Sequence, residues 1–354
     1  MHRDLKYLIA YLLPLAGYLG LYFGGVWAPG SLYVAFIILP LLELFLPGTN
    51  ENYQPAEEPD RATRPLFDYL LYFNLPLLAG AVIYLLHVVT TREVAGWELV
   101  GMISNVGVLI GAIGINVGHE LGHRNGKSEQ FLAQGLLLFG LYLHFFIEHN
   151  RGHHRHVATP LDPATSRSGQ TIYAFWVRST ALGWWHAWQL ENERLTKAKL
   201  PVVSYHNKMM VFQLVQLAYL WLVFMVFGFT GLWVATAAAI FGFLMLESVN
   251  YIEHYGLLRA QNAAGRYEPV LPIHSWNSNH ELGRIFLYEL TRHSDHHYRA
   301  SRKYQILRAH EEAPELPTGY PGCMLLALVP PLWFWVMDPR VADQHERVAA
   351  ISLA

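Results

Sequence analysis

The chain has 354 residues, 53% of them hydrophobic and only 15% charged, with a formal net charge of −2. Soluble globular domains carry about a quarter charged residues, so this chain is too apolar for that class, and its near-neutral balance gives no field for nucleic-acid binding. Cys323 is the single cysteine, which excludes an internal disulfide, a Cys-ligated zinc ribbon and an iron–sulfur centre built into this chain. No Gly-rich dinucleotide fingerprint is present either, so electrons for any redox step must come from outside.

Crossing a bilayer as a helix takes about 20 apolar residues. Six runs are read as spans: about 5–25, 31–47, 67–90, 96–118, 208–228 and 231–251. The first is not a cleaved signal, because the second follows after only Val26-Trp27-Ala28-Pro29-Gly30 and no small-residue cleavage site stands out. The second is short, and its Glu43 needs a protein or interfacial environment. Little more than Gly228 to Gly231 separates the fifth from the sixth, which predicts a helical hairpin.

A seventh apolar run, Phe131 to Ile147, sets the topology. If it crossed the membrane, the histidines before it (119–123) and after it (149–154) would lie on opposite faces and could share no metal centre. Gly135, Gly140 and His144 also make it a poor lipid-facing helix. It is read as packed under the other helices or dipping in from one face. Of the 25 Lys and Arg, only Arg92 then falls in a loop on the far side. The positive-inside rule makes the histidine face cytoplasmic, with most weight on Arg3, Lys6, Arg61, Arg64, Arg124 and Lys208 near helix ends. The expected architecture is an all-α integral membrane protein, a single domain over 1–354. Six transmembrane helices carry a cytoplasmic helical cap, with the dimetal site on segments 119–207 and 252–354.

Nine histidines fall in four clusters at the ends of these runs: His119-Glu120-Leu121-Gly122-His123, His149-Asn150-Arg151-Gly152-His153-His154, Asn250-Tyr251-Ile252-Glu253-His254 and His293-Ser294-Asp295-His296-His297. Imidazole is the commonest protein metal ligand, and a spacing of three or four residues puts two rings on one helix face. One ion takes at most about six ligands, so the count argues for two ions. His119-Glu120-x-x-His123 by itself also matches a zinc-protease motif with Glu120 as general base, but that reading leaves seven histidines over. Adjacent His153 and His154 point about 100° apart and can serve different ions. His293, His296 and His297 share one face, with Asp295 pointing away from it as an outer or solvent-facing group. Asp162 is expected either to orient a ligand imidazole or to form a turn. His156, His274 and His280 are read as structural or outer residues, and His2, His87, His144, His186, His206, His310 and His345 are given no metal role.

In order along the chain, HELGH (119–123), EHNRGHH (148–154), NYIEHYG (250–256), HSWNSNH (274–280) and RHSDHH (292–297), with the tail Leu316-Pro317-Thr318-Gly319-Tyr320-Pro321-Gly322, resemble the membrane alkane 1-monooxygenases. These belong to the wider His-box superfamily of membrane desaturases and hydroxylases. The isolated His boxes occur across that superfamily; NYIEHYG and HSWNSNH are narrower and set a fatty-acyl desaturase behind an alkane hydroxylase. Departures are Arg124 where a lysine is usual, Thr291 before Arg292 and Tyr298 after the last box.

The resemblance implies a cytoplasmic non-haem di-iron centre in a bacterial inner membrane. It would use O2, and two electrons from a separate rubredoxin served by a flavoprotein reductase, to turn an n-alkane drawn from the bilayer into the primary alcohol. The iron ligands it implies are His119, His123, His149, His153, His154, His254, His293, His296 and His297. Arg151, Arg155, Arg299, Arg302, Lys303 and Arg308 flank these clusters and offer a basic surface for an acidic donor.

Overall fold

The computed structural model describes residues 2–46 and 48–352; Pro47, at the end of the second apolar run, and the side chains of His2 and Arg3 lie outside the described residues. Regular structure among the described residues is helical, with only isolated bridges such as Gly48 with His280 and Asn277 with Glu315. Among the described residues, four helices are long and apolar enough to cross a membrane: Asp4–Phe23, Pro65–Thr91, Gly96–Gly122 and Lys208–His254. The chain forms two compact units, one of Met1–Ile38, Arg64–Arg151 and Trp184–Leu246, the other of Leu39–Thr63, Gly152–Gly183 and Glu247–Ala354.

The two predicted runs at 208–228 and 231–251 form one helical stretch of 47 residues, broken at Gly228 (φ 64°, ψ −165°). Residues on either side of that break meet one short segment. The Leu143 N–H donates to Gln216 Oε1 at 3.0 Å, while the neighbouring Tyr142 ring stacks on Phe243 with centroids 5.1 Å apart. In a straight helix, at about 1.5 Å per residue, Gln216 and Phe243 would lie some 40 Å apart. The arms therefore fold back on each other at Gly228, as the hairpin expectation required.

The second predicted run is a shorter helix, Gly30–Glu43. It reaches about 20 Å, against roughly 30 Å for a hydrocarbon core, so helix lengths alone do not give six crossings. Its end is fixed by protein contacts: Glu43 is buried and accepts the Gly283 N–H at 3.1 Å.

The helix Gly96–Gly122 is the centre of the first unit; 78% of its most apolar window is buried, against 11% for Lys208–His254. Asn105 knits three helices there. Its Nδ2 donates to Gly17 O at 2.9 Å, its Oδ1 accepts the Ser31 N–H at 2.9 Å, and its carbonyl accepts from Ser31 Oγ at 2.6 Å. Such amide bridges are favoured between apolar helices, where the alternative is an unsatisfied polar group.

The run at 131–147 is not one helix. Lys127–Phe139 ends at Gly140, and Leu141 takes a left-handed φ of 51° with the Tyr142 N–H closing on Leu137 O at 3.2 Å. Gly118 packs against Ala133 and Leu137, and Gly140 against Ile110 and Ile115, so Lys127–Phe139 runs antiparallel to Gly96–Gly122. The chain then turns back, and Phe145 and His149 return to His119. This excursion begins and ends beside the first histidine cluster.

In the second unit, Tyr251, Tyr255, Trp276 and Trp333 form a buried aromatic core. Trp276 Nε1 donates to Tyr255 O at 2.9 Å. Next to it, Asn277 Oδ1 accepts the Ser294 N–H at 2.8 Å, and Ser294 Oγ donates to Ser275 O at 2.8 Å. The HSWNSNH segment thereby holds the start of the short helix His293–Tyr298, satisfying N–H groups that a helix leaves open.

Candidate metal centre

Four imidazoles converge within the second unit. His153 Nε2 lies 3.2 Å from His297 Nε2, which is 2.8 Å from His293 Nε2, and that atom is 3.1 Å from His254 Nε2. All four rings are buried. Two metal–nitrogen bonds of about 2.1 Å meeting near a right angle put their nitrogens about 3 Å apart. His153 Nδ1 faces the Asp162 carboxylate at 2.9 Å, so its proton sits there and Nε2 offers a lone pair. Several lone pairs pointed at one place repel unless a cation lies between them. Burial pushes the His297 imidazole well below its ordinary range, with His293, His154, His153 and His254 adding to the effect, so the ring is neutral and able to ligate.

In the first unit, His119, His123 and His149 form a second convergence. His119 and His123, one turn apart at the end of Gly96–Gly122, have Nε2 atoms 3.3 Å apart, and His149 Nε2 is 3.1 Å from that of His123. His154 and His296 pair within the second unit at 3.1 Å. The backbone over His149–His153 is a π-type turn, a distortion common at functional sites. The neighbours His153 and His154 thus point to different partners, as their 100° offset predicts. The last cluster divides as well: His293 and His297 join the set of four, whereas His296 turns to His154.

One carboxylate, Asp162, holds the His153 ring from outside. Burial by itself would raise the Asp162 carboxyl, but His153 and the Thr165 hydroxyl outweigh it and hold it at about 2. Asp162 fills both expected roles, since Oδ1 also accepts the Ala164 N–H at 3.1 Å in a turn. Of the two expectations for Asp295, an outer group or a solvent-facing one, burial overturns the second. Asp295 is fully buried, with Arg302 Nη1 at 3.0 and 2.9 Å, His310 Nε2 at 2.8 Å and the Arg308 N–H at 2.9 Å. Those donors outweigh the effect of burial and keep Asp295 below the usual carboxylate range.

Glu120 is bound by Arg124 through Nε and Nη2. Both bonds end on Oε1, so this carboxylate serves as the counter-charge of a buried guanidinium.

Sequence reasoning missed two further pairs. Glu148, beside His149, meets His186 Nδ1 at 3.1 Å. Buried Glu191 gathers Arg151 Nη1 at 2.8 Å, Arg194 Nη2 at 2.7 Å and the Lys208 N–H at 2.9 Å. Glu191 stands in no motif; its only sequence signal is an acidic residue three before Arg194 on a helix. Of the flanking basic residues, Arg151, Arg302 and Arg308 are occupied by Glu191, Asp295 and Glu58, while Arg155 and Arg299 are exposed. His274 is structural, bonding Glu268 at 3.0 Å and the Leu271 N–H at 3.0 Å.

Comparison with known proteins fits this geometry. Residues 95–327 match the fatty acid desaturase family model. The chain is 39% identical to alkane 1-monooxygenase 2 of Pseudomonas aeruginosa, covering 96% of this chain and 93% of that protein. It is 40% identical to an alkane 1-monooxygenase of Pseudomonas putida, covering 92% and 79%. The hydroxylase component of a xylene/toluene monooxygenase from Pseudomonas putida is 30% identical, covering 98% and 91%. With its converging imidazoles and apolar helices, the chain belongs to the alkane 1-monooxygenases of the fatty acid desaturase family.

Proposed function

We propose that this protein hydroxylates n-alkanes at the terminal carbon: alkane, O2, two electrons and two protons give the primary alcohol and water. The convergence of imidazoles at helix ends, in a chain about 40% identical to an alkane 1-monooxygenase, carries this reading. His153, His254, His293 and His297 would hold one iron, and His119, His123 and His149 would be ligands of the other, with His154 and His296 also assigned as iron ligands. Bound iron supplies the redox chemistry for O2 activation, which zinc lacks. Asp162 fixes the His153 tautomer, and Arg124 pairs with Glu120 Oε1 beside His119 and His123.

Cys323 is buried and alone, so the electrons are assigned to a separate rubredoxin and its reductase. The alkane has no polar handle and partitions into lipid, from which a site at helix ends can be supplied. The same reading takes 1–354 as one integral domain with six crossings, the fifth and sixth meeting at Gly228, and with the histidine face toward the cytoplasm of a bacterial inner membrane.

The higher identity to alkane than to xylene/toluene oxygenases favours linear substrates. The test is metal analysis of the purified protein in lipid nanodiscs, followed by turnover of n-alkanes and of toluene with reduced rubredoxin and O2. Two irons and a primary alcohol are expected. Zinc in place of iron, or an iron-loaded protein that forms no primary alcohol, overturns the reading.

A further inference from the structure

The helices Asp4–Phe23 and Pro65–Thr91 do not close on each other along their whole length. Between them lies a groove of about 440 Å³, with Leu8 and Tyr11 on one wall and Leu66, Tyr69, Leu70 and Phe73 on the other. Positions 66, 69, 70 and 73 have the three- and four-residue spacing of a single helix face. Pro76, further along the same wall, accounts for the opening. It lacks an N–H and its ring crowds the preceding turn, and the helix loses its regular conformation at Phe73. The Tyr11 hydroxyl reaches across to donate to Leu70 O at 2.7 Å, so a phenol sets the spacing between the walls.

Leu8, Tyr69 and Phe73 are half or more exposed, on two helices apolar enough to cross a membrane, so this surface faces hydrocarbon. The Tyr11 and Phe73 rings meet edge-on at 5.9 Å, and those of Tyr69 and Tyr72 at 6.3 Å. The phenols of Tyr11 and Tyr72 are spent on Leu70 O and, at 3.3 Å, Glu129 Oε1. Such walls suit a flexible alkyl chain with no polar group along its length. Both walls begin in a cation: Lys6 stands two residues before Leu8, and Arg64 two before Leu66. Asp4, at 2.6 Å from Arg64, offsets one of the two charges. Asp68 and Glu129 are turned instead to Arg124, at 3.3 and 3.8 Å. The mouth of the groove therefore favours an anion.

We propose that this groove is a lipid site, holding one acyl chain of an anionic phospholipid with its phosphate at Lys6 and Arg64. The leaflet is the one on the histidine side, since Tyr72 on the groove wall joins Glu129, which lies beside Arg124, the residue after His123. An occupied groove braces a helix whose other face, through Asp68 and Tyr72, holds Arg124 at the end of the helix that carries His119 and His123.

The test uses the full chain, purified in detergent and stripped of lipid, with melting followed on adding phosphatidylglycerol or phosphatidylcholine of the same acyl chains. Phosphatidylglycerol is expected to raise the melting temperature by about 3 °C or more, and phosphatidylcholine by less than about half of that. Leu66→Trp, which fills the groove, should lose the rise. Lys6→Gln should keep a rise but lose the preference for phosphatidylglycerol. No rise in wild type, equal rises from the two lipids, or an undiminished rise in Leu66→Trp overturns the proposal. So does n-hexadecane protecting as well as phosphatidylglycerol, because the headgroup would then play no part. If Leu66→Trp does not accumulate in folded form, Lys6→Gln decides: a preference that persists overturns the site, and its loss supports it. None of these readouts needs bound metal or turnover, so their failure leaves the oxygenase reading standing.

Discussion

Arg124 closes on Glu120 with two nitrogens, Nε at 3.1 Å and Nη2 at 2.7 Å, while its Nη1 reaches Asp68 at 3.3 Å and Glu129 at 3.8 Å. One buried guanidinium thus ties the end of Gly96–Gly122, which carries His119 and His123, to two other helices of the first unit. Where lysine is the residue expected by resemblance, a single ammonium offers no such planar fork.

Removing that guanidinium leaves Glu120 buried without its counter-charge. Arg124→Ala should cost about 3–5 kcal/mol, and Arg124→Lys a smaller part of it. Thermal unfolding in detergent checks this; equal melting of Arg124→Ala and wild type would show that the cluster contributes nothing to stability.

Asp162 acts through His153. Asp162→Ala should weaken metal binding about 10–100-fold in a chelator competition, because the His153 ring loses its fixed tautomer and orientation. Asp162→Asn keeps an acceptor for the Ala164 N–H and should retain the turn, so a loss of affinity in Asn separates the effect on the ring from the effect on the loop.

The Glu191 clamp gives a pH dependence of stability. Burial raises its carboxyl, but Arg194, the Lys208 N–H and Arg151 outweigh that and hold it at about 2, below its ordinary 4.5. A depressed folded value means stabilisation that is complete above the unfolded value and lost as pH falls from about 4.5 toward 2, here about 3 kcal/mol at most. Glu191→Gln should therefore be less stable than wild type at pH 7, with the gap closing below about pH 4.5. A gap that is constant from pH 7 to pH 3 would contradict this account.

At Gly228 the constraint is backbone conformation and not space. A Cβ there meets nothing within 4 Å, yet φ 64° with ψ −165° is a region essentially reserved for glycine. Gly228→Ala should cost about 1–3 kcal/mol through strain alone. Melting within experimental error of wild type would mean that the arms can reverse without this conformation.

The features legible in the sequence are those fixed by covalent neighbours. His119 and His123 share a helix face because four residues make roughly one turn, and Gly228 breaks a 47-residue apolar helix where a Cβ would be strained. The glycines and His144 of Phe131 to Ile147 mark it as a poor continuous helix, and the chain turns back at Gly140 and Leu141. The length of the second apolar helix was not legible, because Glu43 is anchored by Gly283, far along the chain.

Spacing also could not divide the last cluster. His293, His296 and His297 read as one broad helix face, and which partner each of His296 and His297 takes, His154 or His153, is chosen by what packs opposite over 140 residues away. The same holds for Asp295 and Glu191. Each reads in sequence as an ordinary polar residue, and each is buried by arginines brought to it by the fold. Sequence by itself determined the class of ligand and the helices that carry it, since both follow from residue type and local period. Tertiary structure alone decided which imidazoles meet and which carboxylates face them, because long-range packing sets those distances.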